Sequence, residues 1–185
     1  MKKLATFSLL LAMAMQASAL SFAWKAANVA FDGTVLNGDT TLTAYLVYLG
    51  NPGALESSYS TDTIVTDMNV VQTKTGMTKK TITDTYSWNY KNNAENGDTF
   101  AILLSYASGG KTYYNLSATT YTIENVTAEN STVQAYSLAA TDFNYSTKSE
   151  SSTVKAGGGW TAVPEPSTAM LALAGLALLI KRRRA

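Results

Sequence analysis

Thr43-Ala44-Tyr45-Leu46-Val47-Tyr48-Leu49 is apolar on both of its alternating faces, with Ala44, Leu46 and Tyr48 on one side and Tyr45, Val47 and Leu49 on the other. A short, β-branched and aromatic run of this kind fits a strand buried on both sides. Thr99 to Ala107, centred on Ala101-Ile102-Leu103-Leu104, has the same character. By contrast, Tyr121 and Ile123 alternate with Thr120, Thr122 and Glu124, the pattern of a strand with one wet face. Further strands are expected at Ala27 to Phe31, Thr81 to Tyr90, Lys111 to Leu116 and Thr132 to Leu138.

The punctuation between these runs agrees. Gly109-Gly110 predicts a tight hairpin, and Asn37-Gly38-Asp39-Thr40 and Asn96-Gly97-Asp98-Thr99 each place a turn before an apolar strand. Ser60 to Gln72 is ambiguous, because Ile64, Val65, Met68, Val71 and Gln72 fit a helical face as well as an extended one; a short helix or loop is expected. The reading is an all-β domain over residues 20–148, a β-sandwich or distorted barrel of about seven or more short antiparallel strands. Polar and glycine-rich residues 149–162 are expected to form a flexible linker.

Composition removes several chemistries. The 185 residues include no cysteine and no histidine, which excludes disulfides, thiolate zinc sites, and Ser-His-Asp or Cys-His nucleophilic catalysis. Every arginine lies at Arg182, Arg183 or Arg184, so the body of the chain lacks the bidentate phosphate clamp and nucleic acid is not an expected partner. Residues 20–163 carry eight lysines against twelve Asp and Glu, an acidic body between two basic ends.

Those ends read as addresses. Lys2 and Lys3, the apolar run Leu4 to Met15, and the small residues Ala17 and Ala19 form a secretory signal over residues 1–19, cut after Ala19 or, with the same spacing, after Ala23. At the other end stand Pro164-Glu165-Pro166, an apolar run over 169–180, and Lys181, Arg182, Arg183 and Arg184. Twelve helical residues span about 18 Å, short of a bilayer core of about 30 Å, so the helix is a short, locally thinning membrane segment. The terminal cations orient it with the Pro-Glu-Pro side outside the cytoplasm.

This order, from 163 to 185, resembles the PEP-CTERM sorting signal of exported bacterial proteins, a tail also known as the ice-binding protein C-terminal domain. The resemblance implies that Pro164, Glu165 and Pro166 are the recognition element for a membrane-embedded exosortase. It implies a transient inner-membrane anchor, then passage to the cell surface or extracellular matrix. Gly157-Gly158-Gly159-Trp160 resembles a recurrent lead-in to such tails.

Other chemistry is sparse. Asp84, Glu95 and Asp98 near Trp88 and Tyr90 are the candidates for a glycosidase carboxylate pair. Asp62, Asp67 and Asn69 offer oxygens to calcium, and Thr81, Thr83 and Thr85 form one row of outward hydroxyls. Asn115, Asn125, Asn130 and Asn144 each begin an Asn-x-Ser/Thr triplet. Turns, caps and strand preference account for all of these, so no enzyme, cofactor or metal is expected. The expected role is a structural or adhesive surface protein, processed by signal peptidase and exosortase, with extracellular polysaccharide as partner. The alternative is a carbohydrate-active enzyme or glycan-binding module.

Overall fold

The computed structural model describes residues 21–87, 95–124 and 134–164. Its strands are β1 Ser21–Ala26, β2 Ala30–Phe31, β3 Thr34–Val35, β4 Thr43–Gly50, β5 Tyr59–Ser60, β6 Val70–Thr75, β7 Ile82–Ser87, β8 Thr99–Ser108, β9 Lys111–Leu116, β10 Tyr121–Thr122, β11 Gln134–Leu138, β12 Lys148–Glu150, β13 Thr153–Val154 and β14 Trp160–Ala162. One helical turn, α1 Ile64–Asp67, precedes β6, and a 3-10 turn at Ala140–Asp142 follows β11.

The main sheet has seven strands in the order β12-β14-β9-β8-β4-β6, with β10 added beside β8. A second sheet runs β11-β1-β7, and two short ribbons pair β13 with β5 and β2 with β3. Both faces of β4 and β8 are buried, as their two-sided apolar pattern predicts. On one face, Ala44, Leu46, Phe100, Ile102 and Leu104 pack with Trp24, Ala26, Ile82, Tyr136 and Leu138 of the second sheet. On the other, Val47, Ala101, Leu103 and Leu116 are covered by Ile64, Met68 and Val154. Gln72 ties the two sheets at one side, accepting a 2.8 Å hydrogen bond from the Trp24 indole and donating at 3.1 Å to the Thr85 carbonyl. Lys74 and Asp84 form an ion pair at 3.7 Å at the same seam.

Local turn chemistry sits where the sequence puts it. Gly109 and Gly110 have φ of 59° and 80°, the left-handed pair that a two-residue hairpin between β8 and β9 requires. Ile123 is buried while Thr122 and Glu124 are exposed. Ser60 to Gln72 contains the short helix α1, but its last residues belong to β6. Of Ala27 to Phe31 only Ala30–Phe31 is strand; of Thr81 to Tyr90 the described strand is Ile82–Ser87, and of Thr132 to Leu138 it is Gln134–Leu138.

Three expectations are corrected. The sheets form no closed barrel. The pairing is not wholly antiparallel, since β1 with β11 and β12 with β14 run parallel. Residues 149–162 are not a flexible linker but carry part of β12 and all of β13 and β14. Strand β14 lies inside the main sheet, paired to β9 on one side and β12 on the other. The physical reason is Trp160, fully buried, which donates its indole N–H to the Ala30 carbonyl at 2.8 Å and packs against Phe31, Tyr106 and Tyr145. Burying a tryptophan outweighs the entropy of a few glycines, and truncating one costs about 3–5 kcal/mol.

Candidate functional site

The sorting motif leaves the domain from β14, and the glycines ahead of it have structural work. Gly157 and Gly159 adopt φ of 65° and 88°, and a Cβ on Gly159 would lie 2.7 Å from both the Thr147 side chain and its carbonyl oxygen. This turn returns the chain so that Trp160 enters the core and Ala162 finishes buried. Val163 and Pro164 are exposed immediately afterwards. Pro164 is therefore two residues from a sealed strand. Glu165, Pro166, the run 169–180 and the cations Lys181, Arg182, Arg183 and Arg184 lie outside the described residues, as do Ala17 and Ala19. Among the described residues no helix is long and apolar enough to cross a membrane.

Of the carboxylates considered for sugar chemistry, Glu95 and Asp98 are neighbours, whereas Asp84 stands apart from both, on the second sheet. Asp84 is paired with Lys74, which lies across from Ala44 and so level with Leu104. Asp98 is six residues back along the same strand direction, a separation of roughly 20 Å. That is well beyond the spacing of a glycosidase pair, roughly 5–9.5 Å. Asp98 is 1% exposed and accepts hydrogen bonds from the Tyr48 hydroxyl, the Asn51 amide and the Glu95 N–H, at 3.0, 3.1 and 2.8 Å. Trp88 and Tyr90 lie outside the described residues.

Two of the remaining candidates have local uses. Asp67 accepts from the Thr63 hydroxyl at the start of α1, and no group of three or more His, Cys, Asp or Glu side chains converges among the described residues. Thr83 donates to the Trp24 carbonyl at 3.0 Å, binding β7 to β1. Asn115 and Ser117 are buried, while Asn144 is exposed; Asn125 and Asn130 lie outside the described residues.

One concavity escapes sequence reading. A groove of about 480 Å³ runs between the β2–β3 ribbon and the segment after the 3-10 turn, lined by Asn28, Val35, Thr141, Asn144, Tyr145 and Ser146 among others, none carrying a charge. Its lining mixes apolar residues, among them Val35 at 46% exposed, with residues that bear amides and hydroxyls. Nothing in the local pattern marks these residues as neighbours; the Asn144 triplet is the only flagged member.

Titration is perturbed mainly by burial. Desolvation raises Tyr136 and Tyr145 well above the ordinary phenol range, with the Asp142 charge adding to both. At Asp39, burial pushes upward, but hydrogen bonds from Leu42 N–H, Thr41 N–H and hydroxyl, and Tyr106 outweigh it and hold the carboxyl below its ordinary value.

Compared with known proteins, the chain matches the model of the PEP-CTERM protein-sorting motif over residues 162–185, so the match begins on the last residue of β14. No curated protein and no solved structure matches it.

Proposed function

We propose, from the premise that this chain carries a PEP-CTERM sorting motif and is therefore an exported protein handed to an exosortase for delivery to the cell surface, that it is a structural or adhesive component of the cell surface or extracellular matrix. The motif itself is the observation that carries the reading. In it, Pro164, Glu165 and Pro166 are the recognition element, the run 169–180 is a transient membrane helix, and Lys181, Arg182, Arg183 and Arg184 orient it. The folded part is a β-sandwich, with the three-stranded sheet as its second layer. Such a domain survives outside the cell without disulfides because both faces of β4 and β8 are buried.

Signal cleavage after Ala19 fits this domain better than cleavage after Ala23. The later cut would remove Ser21, Phe22 and Ala23 from β1, leaving three residues to hold β7 and β11 together. Intact mass of the protein from its host, beside a Glu165→Ala variant, tests the address. Loss of residues 1–19 and of the chain beyond the Pro-Glu-Pro region, with retention of the tail in the variant, supports it; identical tails in both overturn it. Matrix retention unchanged by deleting residues 20–163 would remove the structural role.

A second reading has its own observation. The uncharged groove beside Asn144 suits a neutral, hydroxyl-rich ligand, which favours a glycan-binding module over a carbohydrate-active enzyme, since no carboxylate lines it. Binding of surface polysaccharide that weakens in Asn144→Ala and Thr141→Ala variants would support this role.

A further inference from the structure

We infer that, before processing, the domain stands end-on to the membrane with the β8–β9 hairpin end facing an anionic lipid surface. This rests on the reading of 169–180 as the segment that enters the bilayer. Two independent features lead to it. The first is the point of exit. β14 pairs with β9 so that Ala162 lies opposite Tyr113, which lies opposite Tyr106 of β8. The chain therefore leaves the sheet beside the Gly109-Gly110 turn. Residues 163–168 extend at most about 20 Å, so the exit end cannot be far from the bilayer surface.

The second is the distribution of charge along the strands. Lys79 and Lys80 turn from β6 into β7, Lys111 opposes Ser108, and Lys25 opposes Thr83. These four lysines share the exit half with Asp39, Asp62 and Glu150. Lys111 pairs with Glu150, whereas Lys25, Lys79 and Lys80 have no ion pair among the described residues. The far half holds Glu56, Asp67, Glu95, Asp98 and Glu124 and, among the described residues, no lysine. The Lys74–Asp84 and Asp32–Lys148 pairs, both level with Leu104, lie near the midline with Asp142 and Lys155. A domain charged in this way orients near anionic headgroups with its lysine-bearing end inward and its acidic end outward.

The chain has no cysteine, so single labels report position cleanly. Full-length protein carrying Thr112→Cys at the exit end, or Ala54→Cys at the far end, is labelled with a fluorophore. It is then mixed with phosphatidylcholine–phosphatidylglycerol vesicles bearing headgroup nitroxides. Flotation and quenching are both read. Flotation with severalfold stronger quenching at position 112 than at 54 is expected, and Lys79→Glu with Lys80→Glu should reduce that ratio. Equal or reversed quenching in floating protein overturns the orientation alone. Failure to float overturns the membrane reading of the tail, and the orientation with it.

Discussion

Asn37-Gly38-Asp39-Thr40 and Asn96-Gly97-Asp98-Thr99 present the same four residues ahead of an apolar strand, yet they are used differently. In the first, the Asp39 carboxylate bonds chiefly forward, accepting from Thr41 N–H at 2.7 Å and Leu42 N–H at 2.9 Å, with Tyr106 as a distant partner, and it starts β4 from within its own loop. In the second, Asp98 bonds backward to Glu95 N–H and across to Tyr48 and Asn51, residues about fifty positions away in the chain. Gly38 has φ of 67° and open space where a Cβ would go; Gly97 has φ of 100° and Asn51 Oδ1 only 2.5 Å from that position. The shared Asn-Gly supplies the left-handed backbone in both cases. What the aspartate does is decided by what the fold brings to it. The more exposed turn is stapled mainly by its own loop, and the buried aspartate becomes a joint between distant strands.

Substitutions measure that difference, most directly as shifts in urea midpoint. Asp98→Ala empties a buried position and removes the acceptor shared by the half-buried Tyr48 phenol, the Asn51 amide and the Glu95 N–H, and is expected to destabilise by about 3 kcal/mol. Gly97→Ala combines a strained φ with a clash against Asn51, for roughly 2 kcal/mol. If Asn51→Ala in the same chain recovers part of that loss, the close approach is its cause. Gly38→Ala meets only the backbone penalty, about 1 kcal/mol. Equal costs at the two glycines would show that the approach of Asn51 to Gly97 adds nothing.

Asp39→Ala should cost about 1 kcal/mol at neutral pH, the scale of a lost cap. Its pH dependence has a definite sign. The folded carboxyl is held below its ordinary 3.8, so its stabilisation is present above pH 3.8 and is lost as pH falls through the lower folded value. The gap between wild type and Asp39→Ala should therefore close below pH 3.8. A gap that persisted or widened in acid would contradict the hydrogen-bond account.

The same contrast between local and distant causes separates what could be read from what could not. The strands β4 and β8, the Gly109-Gly110 hairpin and the alternation at Tyr121 to Glu124 are legible because their signals are short-range: side-chain period, turn dihedrals and β-branching. Strand β1 and the segment 149–162 are not. Trp160 stands in a glycine-rich, polar stretch with no periodicity, and its partner is the carbonyl of Ala30, 130 residues earlier. The Pro164-Glu165-Pro166 address is legible because the signal is a contiguous motif followed by an apolar run. The uncharged groove and the division of charge between the two ends are invisible in the chain order, since Asn28 and Asn144 line one groove, and Lys80 and Lys111 reach one end of the domain, only in the folded chain.

By itself, then, the amino-acid order determined the β character, the turns and the export address, all properties of residues adjacent in the chain or repeating at a period of two. Tertiary structure alone decided that the supposed linker is an interior strand, that Asp84 and Asp98 stand apart, and that one turn aspartate is half-buried while its twin is sealed. The reason is that burial and hydrogen-bond partnership depend on which distant segments are brought together. Strand order, parallel pairing and the docking of one sheet on another set those meetings, and no local pattern encodes them.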